Sequence, residues 1–392
     1  MTQIGLAYNQ KPDPVPTASH AADIGDSVAD EEPPSNRRDV SSRSSASPAS
    51  GAGAAASPTA VLAPDDEDEF AEWDSAETIA AVERALCAFG PVVRLEANEE
   101  FPERLRRERP AIVFNIAEGL HGVNREAHVP AICEFFDVPY SGSDPFTLSL
   151  CLDKARAKET LAFHGVPTAA FALVHRLGDL DSAACRALAF PLFAKPVHEG
   201  SSKGITERNY CRTPLELREQ TAWLLDRYQQ PVLVEEFLPG AEFTCAVLGN
   251  GGAARMLPVV SINFAALPEG AVPVYGYEAK WVWDRPENPL EMFECPARID
   301  ERLRAAIERV TLGAYRALGC RDWSRVDVRL DARGAPRVIE VNPLPGILPR
   351  PEDNSCLPKA ARAAGLSYDA LIQSCLLAAA ARQGVALPSL AR

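Results

Sequence analysis

The sequence has no apolar run approaching the roughly 18 residues that a membrane-spanning helix needs. Its N-terminus also lacks the basic start and the apolar stretch of a secretory signal peptide. The ten cysteines are scattered without a CxxC pair, and with the six dispersed histidines they give no zinc-site spacing. These absences predict reduced thiols in a cytoplasmic protein that has no membrane partner.

An excess of positive charge is also absent. The formal net charge is −14, part of it from the acidic run 65–69, which excludes the basic footprint of a general nucleic-acid binder. The 392 residues are 46% hydrophobic and 24% charged, as in an ordinary globular protein. A chain of this length buries a large core and is expected to form more than one domain.

Strands alternate with helices through the first 150 residues. Apolar runs predict strands at Ile4–Tyr8 and at residues 91–95 and 111–116, and helical spacing predicts a helix between Ser75 and Gly90. This alternation indicates a parallel sheet and an α/β fold class, with α+β character in the C-terminal half. A Pro-, Ser-, Ala- and acid-rich segment, 10–74, interrupts the pattern and is predicted to be a disordered insertion, either a linker or a binding tail.

The segment Ser324–Gly346 is the most informative part of the chain. Alternating apolar and charged residues predict a strand, and a second strand follows a turn at Gly334. A two- or four-residue loop centred on residues 333 and 334 places Asp327 opposite Glu340. It also places Arg325 opposite Asn342, with Cβ atoms about 4.5–5.5 Å apart across the pair.

One face of this hairpin therefore carries two carboxylates, an amide oxygen and a guanidinium group. Oxygen ligands of this kind suit Mg²⁺, and a neighbouring arginine can hold a phosphate or a developing oxyanion. A solvated face with cross-strand ion pairs explains the same pattern, because charged strand faces are common. The spacing leaves both interpretations open.

Two further patterns are weak by themselves. The loop Glu199–Gly204 follows a predicted strand, and its glycines and serines could cradle an anion, although flexible surface loops share this composition. Lys154, which follows Asp153, would ordinarily be interpreted as a surface charge.

Taken together, these motifs resemble the D-alanine–D-alanine ligase family of the ATP-grasp superfamily. The similar segments are RxD and ExN on the hairpin with PG after them, KPxxEGSSxG at 195–204, YSGS with DK at 140–154, VLVEEFLPGAEFT at 232–244 and YEAKW at 277–281. They occur in the family's order and cover roughly residues 110–380.

The resemblance implies an ATP-grasp fold preceded by a parallel-sheet domain. The implied division is a first strand at 1–9, the insertion at 10–74, an N-terminal α/β domain at 75–150, a central subdomain at 151–235 and a C-terminal subdomain at 236–392. It also implies ATP and Mg²⁺ or Mn²⁺ as cofactors, with two metal ions, and amino-acid or peptide substrates.

The resemblance assigns roles to individual residues. The implied catalytic residues are Arg325, Gly346 and Ser201. The implied nucleotide-binding residues are Lys154, Lys195, Ser201, Ser202, Glu235, Phe237, Leu238, Glu242 and Lys280. The implied metal ligands are Asp327, Glu340 and Asn342.

The sequence departs from the family where the first substrate lies. The family's GGxSxExxxS segment, whose glutamate holds the substrate amine, is absent after Tyr8, and its HGxxGEDG segment is replaced by residues 118–127. Trp281 replaces a usual tyrosine, and PRPEDN lengthens the loop before Ser355, the candidate serine for the second substrate.

The expected reaction is therefore ligation of a carboxylate and an amine through an acyl phosphate. D-alanine is the substrate that the resemblance implies. A ligase for a different amino acid or peptide and an ATP-binding regulator without turnover are the alternatives. A homodimer is possible by the same resemblance.

Overall fold

A computed structural model describes residues 2–12, 70, 72–276, 279, 283 and 290–389. Most of the predicted insertion lies outside these ranges, as do Lys280 and Trp281. The domain boundaries given above stay predictions.

The N-terminal part contains β1 (Ile4–Tyr8), α1 (Ala76–Leu86), β2 (Val92–Glu96), α2 (Phe101–Glu108), β3 (Ile112–Asn115), α3 (His128–Phe135) and α4 (Pro145–Leu152). The middle part contains α5 (Lys154–Phe163), β4 (Phe171–Val174), α6 (Ala183–Arg186), β5 (Leu192–Pro196), β6 (Tyr210–Cys211), α7 (Pro214–Tyr228) and β7 (Val232–Glu236). The C-terminal part contains β8 (Glu242–Leu248), β9 (Arg255–Met256), β10 (Val260–Ile262), β11 (Phe293–Glu294), α8 (Glu301–Ala317), β12 (Trp323–Leu330), β13 (Pro336–Asn342), α9 (Cys356–Ala363) and α10 (Tyr368–Gln383).

The N-terminal strands form a parallel sheet in the order β2-β1-β3, which confirms the predicted α/β class. The chain leaves β1 and returns to the same place before α1. The backbone N–H of Asp74 donates to Asn9 O at 2.9 Å, and that of Lys11 donates to Asp74 O at 2.8 Å. The two ends of the insertion are therefore adjacent in space, although about 60 positions of sequence separate them.

Two antiparallel sheets follow, and they account for the predicted α+β character. One has the strand order β4-β7-β5-β6, and the other has the order β11-β10-β8-β12-β13, with β9 paired to β8. Residues 255–262 form two short strands, β9 and β10, which are separated around Pro258 because proline has no N–H to donate to a ladder. The sequence pattern did not predict several short elements, which are α2, β4, α6, β6, β11 and α9.

The turn of the C-terminal hairpin differs from the prediction. Leu330 pairs with Pro336, so the loop spans the five residues 331–335 rather than two or four. Gly334 adopts a φ of +75°, a conformation that glycine takes without steric cost. A five-residue loop alone would shift the expected pairing by one residue.

A β-bulge restores the pairing that matters. The register shifts by one after Asp327, which leaves Ile339 without a cross-strand partner. Asp327 therefore lies opposite Glu340, and Arg325 lies opposite Asn342, as predicted.

The C-terminal helices cover the N-terminal domain. Apolar residues of α10 share one core with β1, α1 and β3, where Phe114 stacks on Trp323 with ring centroids 5.2 Å apart. In the described part of the chain no single helix is long and apolar enough to cross a membrane. The bent pair α9–α10 meets that test by length and composition only.

Candidate active site

A cleft with a volume of about 160 Å³ lies between the two antiparallel sheets. Strands β5 and β7 line one side, and β8, β12 and β13 line the other. The cleft brings together Lys154, Lys195, Ser201, Ser202, Glu235, Phe237, Leu238, Glu242, Asp327 and Glu340, all of which the sequence singles out.

Lys154 owes its place to the residue before it. The Asp153 side chain caps α5 by accepting from the N–H groups of Ala155 and Arg156, so Lys154 is the first residue of the helix. Its ammonium donates to the carbonyl of Glu199 and lies 3.9 Å from Glu340. The DK motif thus places a cation between the glycine-serine loop and the hairpin.

Lys195 lies on β5 and pairs with Glu235 on the neighbouring strand β7 at 2.6 Å. Lys158, which the sequence analysis missed, lies 2.8 Å from the other carboxylate oxygen. Burial alone would raise the pKa of Glu235, but the two ammonium groups outweigh it and lower that pKa to about 2. The carboxylate is therefore held ionised beneath the cleft.

The glycine-serine loop has the backbone of an anion cradle. Ser201 and Ser202 both adopt left-handed φ values, 49° and 64°. At Gly204 a Cβ would approach Pro196 to 2.8 Å and the Tyr228 ring to 2.9 Å, so only glycine fits. The backbone conformations and the close packing at Gly204 explain why the motif is rich in glycine and serine. The alternative interpretation, a flexible surface loop, does not explain them.

The far end of the cleft contains a second missed residue, Arg329. It donates to Glu242 at 2.8 Å, and its guanidinium lies 4.5 Å from the Phe237 ring centroid. Burial nevertheless raises the pKa of Glu242 to about 7, because Arg329 offsets the desolvation only in part.

The hairpin supplies the polar floor of the cleft. Arg325 pairs with Asp327 at 3.0 Å and lies 3.7 Å from Glu340. Asp327 also accepts a hydrogen bond from the Thr244 hydroxyl. Burial raises the pKa of Asp327. At Glu340 burial acts in the same direction, but Lys154, Lys195 and Arg325 together outweigh it and lower the pKa.

Three predicted residues lie beside the cleft rather than in its lining. Arg325 reaches it through its ion pairs. The Asn342 amide oxygen accepts from the N–H of Leu344 at 3.0 Å. Gly346 lines a second, smaller cavity, and its carbonyl accepts from Ser355 Oγ at 2.9 Å.

The residues fit a divalent cation in chemistry. Two facing carboxylates and a nearby amide oxygen are hard ligands, and a cation would relieve the repulsion between the carboxylates. Among the described residues no group of three His, Cys, Asp or Glu side chains is arranged to hold a metal ion. Asn342 would have to supply the third protein ligand.

The smaller cavity, beside Gly346, is lined in part by acidic residues that the sequence analysis placed within the insertion or in the segment 118–127, where the first substrate is expected to lie. They include Glu72 and Glu118. Glu72 lies 2.9 Å from Arg125 and 3.3 Å from Lys203, which outweigh burial and lower the pKa of Glu72. In the sequence, the one feature that could have marked Glu72 as a site residue is its position shortly before the first helix, α1.

Replacing Glu126 by Gln should stabilise the protein at alkaline pH. Burial, with repulsion from Glu72 second, raises the pKa of Glu126 from 4.5 to about 7. The folded state therefore holds the proton more tightly than the unfolded state, and stability falls as pH rises from 4.5 to about 7. Chemical unfolding should show a gain of roughly 1 to 3 kcal/mol at pH 8, shrinking toward zero below about pH 4. An equal gain at both pH values would contradict this origin.

Comparisons with known proteins agree with this geometry. The sequence profile described as D-ala D-ala ligase C-terminus matches residues 161–377. The uncharacterised protein y4sG of Sinorhizobium fredii is 36% identical over 70% of this chain and 76% of that protein. D-alanine–D-alanine ligase of Bordetella avium is 36% identical over 67% of this chain and 79% of that protein.

Two solved structures of D-alanine–D-alanine ligase from Bacillus anthracis share the fold. The one complexed with ATP superposes with a TM-score of 0.64 at 19% identity, over 98% of this chain and 99% of that chain. The other has a TM-score of 0.62 at 24% identity, over 79% and 96% of the two chains.

The fold and the cleft together define an ATP-grasp enzyme, a ligase that uses ATP to form C–N bonds. The chain belongs to the D-alanine–D-alanine ligase family. The predictions of the superfamily, the family and the ligase class are confirmed.

Proposed function

We propose that the protein joins the carboxylate of one amino acid to the amine of another through an acyl-phosphate intermediate, with D-alanine as the first candidate substrate. The observation that carries the proposal is the meeting of Lys154 and Lys195 with Asp327 and Glu340 in one cleft. Cations for phosphate groups and carboxylates for a metal ion are the two requirements of phosphoryl transfer from ATP.

The nucleotide would lie along the cleft, with its base near Phe237 and its phosphates beside the two lysines. The glycine-serine loop would close over the phosphates with its backbone N–H groups. Most of the catalytic work would be positioning and charge stabilisation, since phosphoryl transfer needs little covalent help from the protein.

Asp327, Glu340 and Asn342 would hold Mg²⁺, which neutralises phosphate charge when bound. Arg325, adjoining both carboxylates, would stabilise the oxyanion that forms when the amine attacks the acyl carbon. The backbone N–H of Gly346 would be the second donor. These roles stay predictions, as do the role of Lys280 and the homodimer.

Glu72 is the best candidate to hold the amine of the first substrate. The last residues of the insertion return beside the end of β1, where the family has its amine-holding glutamate, so Glu72 is distant from β1 in sequence only. The Glu72 carboxylate lies against the glycine-serine loop. Its Oε1 is so close to Gly200 that a Cβ at that position would approach it to 2.3 Å. A substrate ammonium would replace part of its pairing with Arg125 and Lys203.

Replacing Glu72 by Gln should raise the KM of the first amino-acid substrate about 10- to 100-fold, the usual effect of losing a charge-assisted hydrogen bond. The KM of ATP should change by less than about threefold. Steady-state kinetics with each substrate varied in turn measures both values, and Glu77→Gln, on the exposed start of α1, is the matched control. If only the KM of ATP rises, Glu72 merely anchors the loop.

The function is tested by phosphate release and product analysis with ATP, Mg²⁺ and a panel of D- and L-amino acids and dipeptides. Release that depends on D-alanine and yields the dipeptide supports the proposal. Release with a different compound keeps the ligase chemistry and changes the substrate, the alternative motivated by the absence of the family's amine-holding segment after Tyr8. ATP binding without release from any compound of the panel would favour the regulator.

A further inference from the structure

Lys158 is a buried cation for which the proposed mechanism has no use. It lies on α5, its side chain is 2% exposed, and it does not line the cleft. Burying an ammonium group without a partner is costly, so a lysine in this position needs a compensating charge. Glu235 provides that charge.

Glu235 serves two lysines at once. Its two carboxylate oxygens lie 2.6 Å from Lys195 and 2.8 Å from Lys158. One carboxylate balances one ammonium, so this group of three side chains carries a net charge of +1. A single lysine would have been enough to neutralise Glu235.

The two lysines differ in how they are held. Lys158 also donates to the Thr168 hydroxyl at 2.7 Å, and Thr168 donates to Val338 O on β13 at 2.7 Å. Lys195 lines the cleft, and within the described ranges Glu235 is its only ion-pair partner closer than 4 Å. Lys158 is thus held by both Glu235 and Thr168. Lys195 can exchange its ion pair with Glu235 for contact with a ligand in the cleft.

We propose that Lys158 is the permanent counterion of Glu235 and thereby leaves Lys195 free to transfer from Glu235 to the phosphates of ATP. Lys158 is then a positioning residue that acts through Glu235. This inference rests on the proposed phosphate role of Lys195. Without Lys158, the transfer would leave a buried carboxylate with no cation beside it.

Replacing Lys158 by Met should therefore weaken ATP binding while the fold is kept, because Glu235 and Lys195 would remain as a neutral pair. The dissociation constant of ATP with Mg²⁺, measured by calorimetry on the full chain, should rise about 10- to 100-fold. The kcat at saturating ATP should change by less than about threefold. If the Met variant does not fold, Lys158→Gln removes the charge and keeps a hydrogen-bonding group, with the same expectations.

The double variant Lys158→Met/Glu235→Gln separates positioning from a structural role. Removing the carboxylate releases Lys195, so the double variant should bind ATP as well as Glu235→Gln alone does. Two results would overturn the inference. One is a double variant whose loss of ATP affinity is the product of the losses in the two single variants. The other is a Lys158→Met variant that binds ATP like the natural protein.

Lys195→Met distinguishes this inference from the proposed function. If that variant binds ATP normally, the phosphate role of Lys195 fails and the inference fails with it. If it binds weakly while Lys158→Met binds normally, only the inference about Lys158 fails.

Discussion

Replacing Arg325 by Ala should lower kcat by a factor of about 100 to 1,000, the usual loss when one oxyanion donor is removed. ATP affinity should stay within about threefold of the natural protein, because Arg325 lies beside the cleft and contacts its lining through ion pairs with Asp327 and Glu340. Steady-state phosphate release and ATP calorimetry measure the two quantities separately.

The matched control is Arg337→Ala, on the adjacent strand of the same hairpin. Arg337 pairs with Asp331 at 2.9 Å near the turn, and its side chain is 38% exposed, so its loss should leave kcat unchanged. An Arg325 variant that loses ATP binding and turnover together would assign the arginine to the nucleotide and not to the oxyanion.

Replacing Glu340 by Gln should have the larger effect. A metal ion supplies several kcal/mol of charge stabilisation in phosphoryl transfer, so weakening its site should lower kcat/KM by about 1,000-fold or more. Part of the activity should return at high Mg²⁺ concentration, because the carboxylate of Asp327 remains. The measurement is phosphate release over a wide range of Mg²⁺ concentrations.

Glu301→Gln, on the exposed N-terminus of α8, is the control for this substitution and should leave the Mg²⁺ dependence unchanged. If Glu340→Gln alters turnover without shifting the Mg²⁺ dependence, Glu340 acts through its ion pairs with Lys154 and Arg325 and is not a metal ligand.

The hairpin shows what the sequence determines well. Alternating apolar residues predicted the first strand and the run after Gly334 predicted the second, and the opposition of Asp327 and Glu340 was correct. The predicted loop length was wrong, because the loop has five residues rather than two or four. A bulge at Ile339 offsets the extra residue and restores the predicted pairing. Strand pattern is local, whereas a bulge depends on packing against the neighbouring strand β8.

Lys158 and Arg329 show what the sequence could not reveal. On sequence grounds alone a lysine in a helix and an arginine in a strand are interpreted as surface charges. Their burial depends on contacts with Glu235 and Glu242, which lie more than 70 positions away in the chain. Only the packed sheets bring those partners within ion-pair distance.

Glu72 was missed for a related reason. Composition placed it in the insertion 10–74, because nothing local separates it from the acidic run that precedes it. Backbone hydrogen bonds of Asp74 with Asn9 and Lys11 return the chain to β1 and bring Glu72 to the glycine-serine loop. Comparing separate sequence segments with the family's motifs does not reveal that the chain comes back to β1 after the insertion.

The central claim is that a substrate carboxylate attacks the γ-phosphate of ATP and is activated as an acyl phosphate. The most direct test uses D-alanine, or the substrate that the panel identifies, labelled with ¹⁸O in its carboxylate. Mass spectrometry of the released phosphate should find one ¹⁸O atom transferred for each amide bond formed. Unlabelled phosphate accompanying labelled product would contradict the acyl phosphate, and with it the roles proposed for the cleft.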